Sequence, residues 1–371
     1  MKKTTLVLLA SLPLLAPILE AQTTVHTNPV GFINLTIKGT DAGKGLTGIS
    51  VPMLPQVLYS GVITGSTTST ITDNNATWAD DQYVGLDPNG SPTHYIEITA
   101  NANDATTVGS IIGILDSDDA ANELSLNGDP SGLDGASYVI RQCHTIASVF
   151  GDANSAGLTT GQDLASSDVI FKMTNDGNGG MVWGQYYYQT DPTVALDPTG
   201  VGFLGGTGWR SDKSSSSDLI KNTVILPTEG LIVRRISDGD VTVTLPGSIK
   251  MNNSKTQILK GYNLVSLNYP VEMTLEGLGI QSMLRSGQDS SSSDRVYHIN
   301  GAGAFDIYYY QTDPTVALDP TGVGFLGGTG WRKSGFSATD AKDSVIPAGH
   351  SVIVYREDQN QTDWNSTVPF N

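Results

Sequence analysis

The chain has 371 residues, of which 42 are Gly and 17 are Pro, and only 15% are charged. Ordinary soluble domains contain about 25% charged residues, and long helices and coiled coils contain more, so the composition excludes a long helix or coiled coil. The formal net charge is −17, which makes nucleic acid and anionic membranes poor partners. Most of the acidic residues are Asp, which favours turns over helix interiors. The composition therefore predicts a β-protein with many loops.

The first 21 residues have the pattern of a secretory signal peptide. Lys2 and Lys3 precede an apolar stretch that ends near residue 19, and a cleavage site is predicted before Gln22. No later apolar run reaches the about 18 residues that a membrane-spanning helix needs. Cys143 is the only cysteine, which rules out an intrachain disulfide and a cysteine zinc site. We therefore expect an exported protein without a membrane span.

Short runs of β-branched and aromatic residues recur along the rest of the chain and predict strands. Asn-Gly and Asp-Gly dipeptides separate them, and Asp-Pro-x-Gly occurs four times, as is typical of tight turns. The main predicted strands are 57–63, 94–99, 110–115, 137–141, 169–173, 241–245, 296–299 and 351–355. The pattern is β throughout, and no long amphipathic helix is predicted.

An internal duplication organises the chain. Residues 186–210 and 308–332 are the same 25 letters, YYYQTDPTVALDPTGVGFLGGTGWR. Weaker matches extend this repeat: LTGISV at 46–51 resembles YNLVSL at 262–267, and 224–227 parallels 344–347. The first copy contains a long extra segment. We therefore predict module A at 22–55 plus 145–247, an inserted small β domain at 56–144, and module B at 248–371.

The predicted fold class is all-β, with two duplicated β-sandwich or jelly-roll-like modules and a small β-barrel-like domain inserted in the first. Several short motifs support this assignment by resemblance. They are NPVGF at 28–32, GVITGSTTSTI at 61–71, TIASVFG at 145–151, and a tyrosine pair, a Gly-Trp-Arg step and a Pro-x-x-Gly within 186–235. With them the chain resembles a family of uncharacterised secreted all-β bacterial proteins. The loop at 191–206 and its copy depart from the family pattern. The resemblance implies export from a bacterium and an all-β fold, and no activity.

No catalytic residue is predicted. Five His residues are scattered singly through the chain, and there is no HExxH, GxSxG or Walker A motif. Glu97 is the best placed carboxylate for acid–base chemistry, but strand alternation predicts that it lies on a solvated face. We therefore expect a protein that is not an enzyme. An extracellular hydrolase with a site between module A and the insert is the least favoured alternative.

Calcium is the one ion that the sequence suggests, because it prefers Asp, Asn and carbonyl oxygens gathered in a loop. Asp152, Asn154 and Asp163 match three positions of an EF-like loop, although Ala156 occupies another ligand position. Asp116 and Asp118, with Asp119 beside them, form a second acidic group. Solvated turns explain both groups of acidic residues without a metal, so the two calcium sites are hypotheses. No other cofactor is expected.

The identical repeat carries two matching sets of aromatic residues, and two interpretations stay open. Aromatic rings next to Asp and Gln suit stacking on sugars, and two copies would bind with avidity. Alternatively, alternation turns the middle Tyr one way and its neighbours the other, with a Trp filling the core of each module. The candidate ligand-binding residues are Tyr186, Tyr188, Trp209, Tyr308, Tyr310 and Trp331.

Taken together, the sequence favours an exported, non-enzymatic structural or adhesive protein of the bacterial cell surface or extracellular matrix. Self-assembly into an oligomer or filament is expected through strand edges or through the N-terminal segment 22–30, which could add to a neighbour's sheet. The alternative is a carbohydrate-binding protein that recognises a polysaccharide through the duplicated aromatic hairpins.

Overall fold

The computed structural model describes residues 29–190, 207–213, 218–312, 329–335, 340–358 and 360–370. Over these residues the fold is mostly β and is built from several antiparallel sheets, which confirms the all-β prediction. One short helix, α1 (Ile146–Phe150), is capped at its N-terminus by Thr145, whose hydroxyl accepts a hydrogen bond from the Ser148 amide. Four 3-10 turns are also described: Thr40–Ala42, Ala105–Thr107, Asp218–Asn222 and Ile280–Met283.

The strands are numbered in chain order. They are β1 (Val30–Ile37), β2 (Leu46–Ile49), β3 (Met53–Leu54), β4 (Val57–Val62), β5 (Gly65–Ser66), β6 (Thr70–Thr72), β7 (His94–Ala100), β8 (Ile111–Asp118), β9 (Glu123–Asn127), β10 (Ser137–Gln142), β11 (His144–Thr145), β12 (Val169–Asn175), β13 (Met181–Gln189), β14 (Gly208–Ser211), β15 (Val224–Ile225), β16 (Leu231–Arg234), β17 (Val241–Ile249), β18 (Ser254–Ile258), β19 (Gly261–Ser266), β20 (Met273–Thr274), β21 (Arg295–Ile299), β22 (Phe305–Gln311), β23 (Gly330–Lys333), β24 (Val345–Ile346), β25 (Ser351–Arg356) and β26 (Thr362–Ser366).

Module A contains a five-stranded sheet in the order β14-β13-β12-β16-β2 and a three-stranded sheet in the order β1-β17-β3. The two sheets share one apolar core, because Leu35 and Val243 from the smaller sheet pack in the same cluster as Ile170, Trp209 and Leu231 from the larger one. Alternation along each strand sends one set of apolar side chains into this core. The core therefore lies between the two sheets.

Module B repeats this arrangement. Its five-stranded sheet has the order β23-β22-β21-β25-β19, with β18 and β26 paired beside it, and its core includes Ile258, Val296, Trp331 and Trp364. The five strands of this sheet and the pair β20–β24 have counterparts in module A, whereas the smaller sheet has two strands here and three in module A. The ladders correct one detail of the sequence alignment: the paired strands β20–β24 and β11–β15 make Val345, rather than Ser344, the counterpart of Val224.

The insert is one seven-stranded sheet in the order β4-β10-β7-β8-β9-β6-β5. Ile71, Ile96, Leu124 and Tyr138 are fully or almost fully buried in its core. The sheet is open, because among the described strands β4 and β5 lie at its two ends and do not pair with each other. The barrel-like closure predicted for the insert is therefore corrected to an open sheet.

The two five-stranded sheets face each other across the module boundary. Met173, Ile232, Leu264, Ile299 and Ile353 form a buried cluster between them. Hydrogen bonds reinforce this contact. The Ser50 hydroxyl donates to the His350 carbonyl at 2.7 Å and accepts from the Leu267 amide at 2.8 Å, while Ser351 Oγ donates to the Leu231 carbonyl at 3.1 Å. The modules therefore pack through their outer sheet faces.

Candidate functional site

The six aromatic residues of the repeat lie in the module cores. Trp209 and Trp331 have no exposed surface, Tyr186, Tyr188 and Tyr308 are buried, and Tyr310 is partly buried. Each Trp makes an edge-on contact with a tyrosine of its own module. The ring centroids are 5.3 Å apart for Trp209 and Tyr188 and 5.6 Å apart for Trp331 and Tyr310. A ring without accessible surface cannot stack on a sugar. The structure therefore places these residues in the cores, as the core-packing interpretation expects. This corrects the prediction that their rings form a sugar-binding surface.

The residues of the predicted EF-like loop are engaged separately. Asp152 forms an ion pair with Lys221 at 2.8 Å, and Asn154 is buried with its amide bonded to the backbone of Leu158. The Asp163 carboxylate accepts hydrogen bonds from the Ser166 hydroxyl and amide, which lower its pKa. These contacts are those of turn-stabilising side chains, so each of the three side chains has a structural role without an ion.

The second acidic group is part of a larger exposed cluster. Carboxylate oxygens of Asp80, Asp118 and Asp119 lie within 4.8 Å of one another. The negative charge of Asp81, then desolvation, and then the charges of Asp119, Asp118 and Asp116 raise the pKa of Asp80. Asp80 is 38 positions from Asp118 in the sequence, so the sequence analysis missed it. Exposed acidic clusters of this kind are common without a metal.

Glu97 is buried and not solvated, which corrects its predicted position. It is 1% exposed, forms an ion pair with the Lys250 ammonium, and lies 3.5 Å from Nε of Arg141. Burial lowers the pKa of Lys250, and the Glu97 charge opposes this effect. Both faces of β7 are covered, so alternation does not expose every second residue. The ion pair with Lys250 therefore joins the insert to the beginning of module B.

A pair of equivalent positions carries different charges in the two modules. In module A, Lys172 and Glu229 form an ion pair at 3.1 Å. The counterparts in module B are His298 and His350, whose ring nitrogens are 3.2 Å apart. Burial and the neighbouring His350 lower the pKa of His298 to about 4. Neither pair adjoins a third ligand group in the part of the chain described by the structure.

The first half of β1 is the most exposed apolar segment that the structure describes. Val30 and Phe32 are 81% and 68% exposed. The strand VGFINLTI carries no charge and pairs along its full length with β17 on one side. On its other side no strand is paired with it among the described residues. β1 is therefore an edge strand, one side of which offers unpaired backbone groups.

A second edge strand, β4, borders the insert. It pairs with β10 and, among described residues, with no other strand. Leu58 and Val62 are exposed, and residues 57–72 contain no charged side chain. The register shifts between Ile140 and Arg141 on the partner strand, so the regular part of this edge is residues 59–62. Edge β5 is only two residues long.

Comparisons with known proteins add no family to these observations. No protein-family model, curated protein or solved structure matches the chain, so the resemblance stated from the sequence stays a prediction. Within the ranges that the structure describes, no helix has both the length and the apolar character that a membrane crossing requires.

Proposed function

We propose that this is an exported, non-catalytic structural or adhesive protein of the bacterial cell surface or extracellular matrix, which associates with further copies of itself through uncovered sheet edges. Export rests on the signal-like residues 1–21, which lie outside the described residues, as does most of the N-terminal segment 22–30. The observation that carries the proposal is the exposed, uncharged first half of β1. The modules serve as sandwich-like rigid units in this proposal.

The chemistry of β1 favours strand addition. An edge strand offers unpaired N–H and C=O groups to any extended chain that approaches it. Proteins usually protect such edges with Lys, Pro, bulges or very short strands. β1 is eight residues long, follows its partner without a register shift, and has Val30 and Phe32 open to solvent. Its first half lacks these protections, and pairing would also bury the two apolar side chains.

Two different edges on one chain lead to an open-ended assembly. An antiparallel strand can pair with the same strand of a second copy, which gives a closed twofold contact. β1 pairing alone would therefore stop at a dimer. If β4 pairs in the same way, each copy has two contacts in different places, and copies join in a row. The net charge of −17 opposes close approach, so added salt should promote association.

The test compares matched single substitutions in the processed chain, residues 22–371. Light scattering would measure the average mass against protein concentration, with calcium and with chelator, and electron microscopy would image the product. Phe32→Lys should reduce association, and Val62→Lys should stop growth beyond dimers. Met251→Lys is the control, because Met251 is 46% exposed and lies outside the strands. A wild-type chain that stays monomeric at high concentration and high salt would overturn the proposal.

A further inference from the structure

The outer faces of the two five-stranded sheets leave two adjoining cavities at the module boundary, which we call the inter-module cleft. The cavities have volumes of about 280 Å³ and 260 Å³. Trp183 and Phe305 line both. The other lining residues are Met173, Met181, Tyr262, Tyr297, Ile307 and Ile353 in the larger cavity, and Leu46, Phe171, Gln185 and Ile232 in the smaller one.

The duplication explains why there are two cavities. The strand registers make Trp183 the counterpart of Phe305, since each lies three residues before its tyrosine run. By the same registers, Phe171 is the counterpart of Tyr297 and Ile232 the counterpart of Ile353. The smaller cavity is thus built on the sheet of module A and closed by Phe305, and the larger one is built on the sheet of module B and closed by Trp183 with two methionines of module A. The cleft exists only where both modules meet.

The aromatic rings of the cleft are held in place before any ligand arrives. Trp183 contacts Phe171 edge-on at 6.1 Å, and Phe305 contacts Tyr297 edge-on at 6.4 Å. Tyr297 in turn lies 6.0 Å from Tyr262. Rings fixed in this way lose little conformational freedom on binding, which favours affinity. Phe305 and Met181 are about half exposed at the rim, so the site is open to solvent.

The lining selects against charged and strongly polar ligands. No charged side chain lines either cavity. Burial is the main factor that raises the pKa of Tyr297 to about 12, so its hydroxyl stays neutral. The chain's net charge of −17 disfavours anions over the whole surface. A sugar needs several hydrogen-bonding partners around its ring, and the surface that lines the larger cavity is apolar.

We propose that the inter-module cleft binds an uncharged, planar aromatic compound of one or two rings. The larger cavity is near the lower end of the about 300–1,000 Å³ typical of small-molecule sites, so a larger ligand would protrude. Flat rings complement edges and faces of fixed aromatic side chains. Because residues from both modules close the cavities, such a ligand would also hold the modules together.

The experiment uses the processed chain and the uncharged, planar two-ring fluorescent probe 6-propionyl-2-(dimethylamino)naphthalene, with its titration followed by emission and calorimetry. Phe305→Ala should weaken binding about tenfold, the factor that corresponds to about 1.4 kcal/mol. Met181→Lys places a charge at the rim, where the side chain is 44% exposed, and should weaken binding similarly. Phe32→Ala is the matched control, since it removes an exposed Phe on β1, away from the cleft.

The outcomes separate the alternatives. Loss of binding in the two cleft variants, with Phe32→Ala unchanged, supports the proposal. Equal binding by all four chains overturns it. Probe binding that depends on Phe32 assigns the apolar site to the β1 edge and also overturns it. Binding of a neutral oligosaccharide in place of the probe, lost in Phe305→Ala, would make the cleft a sugar site and overturn the ligand class.

Discussion

The buried charges at Glu97 lead to an asymmetric prediction. Glu97, Lys250 and Arg141 are each only about 2% exposed at their side chains, and this group contains one negative and two positive charges. Glu97→Gln would leave two buried cations without a counter-ion. Breaking a buried ion pair from one side costs about 3–5 kcal/mol of unfolding free energy. We expect a loss in this range.

Lys250→Met is the informative comparison. It removes the excess positive charge and leaves Glu97 with Arg141, 3.5 Å away. It also removes an ammonium group whose pKa burial already lowers. The expected loss is within about 1 kcal/mol, because apolar replacement of a buried charge is often neutral when the remaining charges balance.

Urea unfolding followed by circular dichroism and tryptophan fluorescence would measure both free energies. Trp78 reports on the insert, since it packs in that core. A Lys250→Met loss as large as that of Glu97→Gln would refute the reasoning, because the pair would then act as a simple mutual contact. The double variant, Glu97→Gln with Lys250→Met, should be more stable than Glu97→Gln alone, because it leaves only one buried cation without a counter-ion.

Three further predictions concern buried side chains. Trp209→Ala should cost about 3–5 kcal/mol of unfolding free energy through the cavity it leaves, measured by urea unfolding; a loss below about 1 kcal/mol would contradict its place in the core. The pKa of His298 is about 4 when folded and 6.5 otherwise, so its contribution, about 3 kcal/mol at most, is fully present above pH 6.5 and is lost as the pH falls towards 4. Thermal unfolding of His298→Gln across this range should show a shallower acid loss than wild type, and an unchanged slope would count against it. Burial raises the pKa of Cys143 to about 12, so the folded chain should not react with a thiol reagent at pH 8, and rapid labelling would refute this.

The sequence predicted the duplication and the all-β class because a repeat and a strand pattern can both be recognised in short stretches of sequence. Twenty-five identical letters identify the hairpin β13–β14 and its copy β22–β23, and alternation within that hairpin correctly separates the middle Tyr from its neighbours. In both cases, the evidence could be read from the sequence without knowing which segments meet in space.

The sequence could not predict contacts between distant segments. Glu97 looked solvated because its partner Lys250 is 153 positions away, and strand alternation assumes that one sheet face is open. The inter-module cleft was missed because Trp183 and Phe305 are different residues that lie just outside the identical repeat. Their equal spacing before the tyrosine runs was the only signal. Closure of the insert could not be predicted either, since it depends on which strands pair.

The central claim is that β1 is an association edge, and hydrogen exchange measured at several protein concentrations tests it most directly. Amide exchange in residues 30–34 would be followed by mass spectrometry at low and high concentration, with the β17 amides as an internal reference. We predict slower exchange in residues 30–34 at high concentration, and no such change in Phe32→Lys. Exchange that stays equally fast at every concentration, while the average mass rises, would place the association elsewhere and contradict the account.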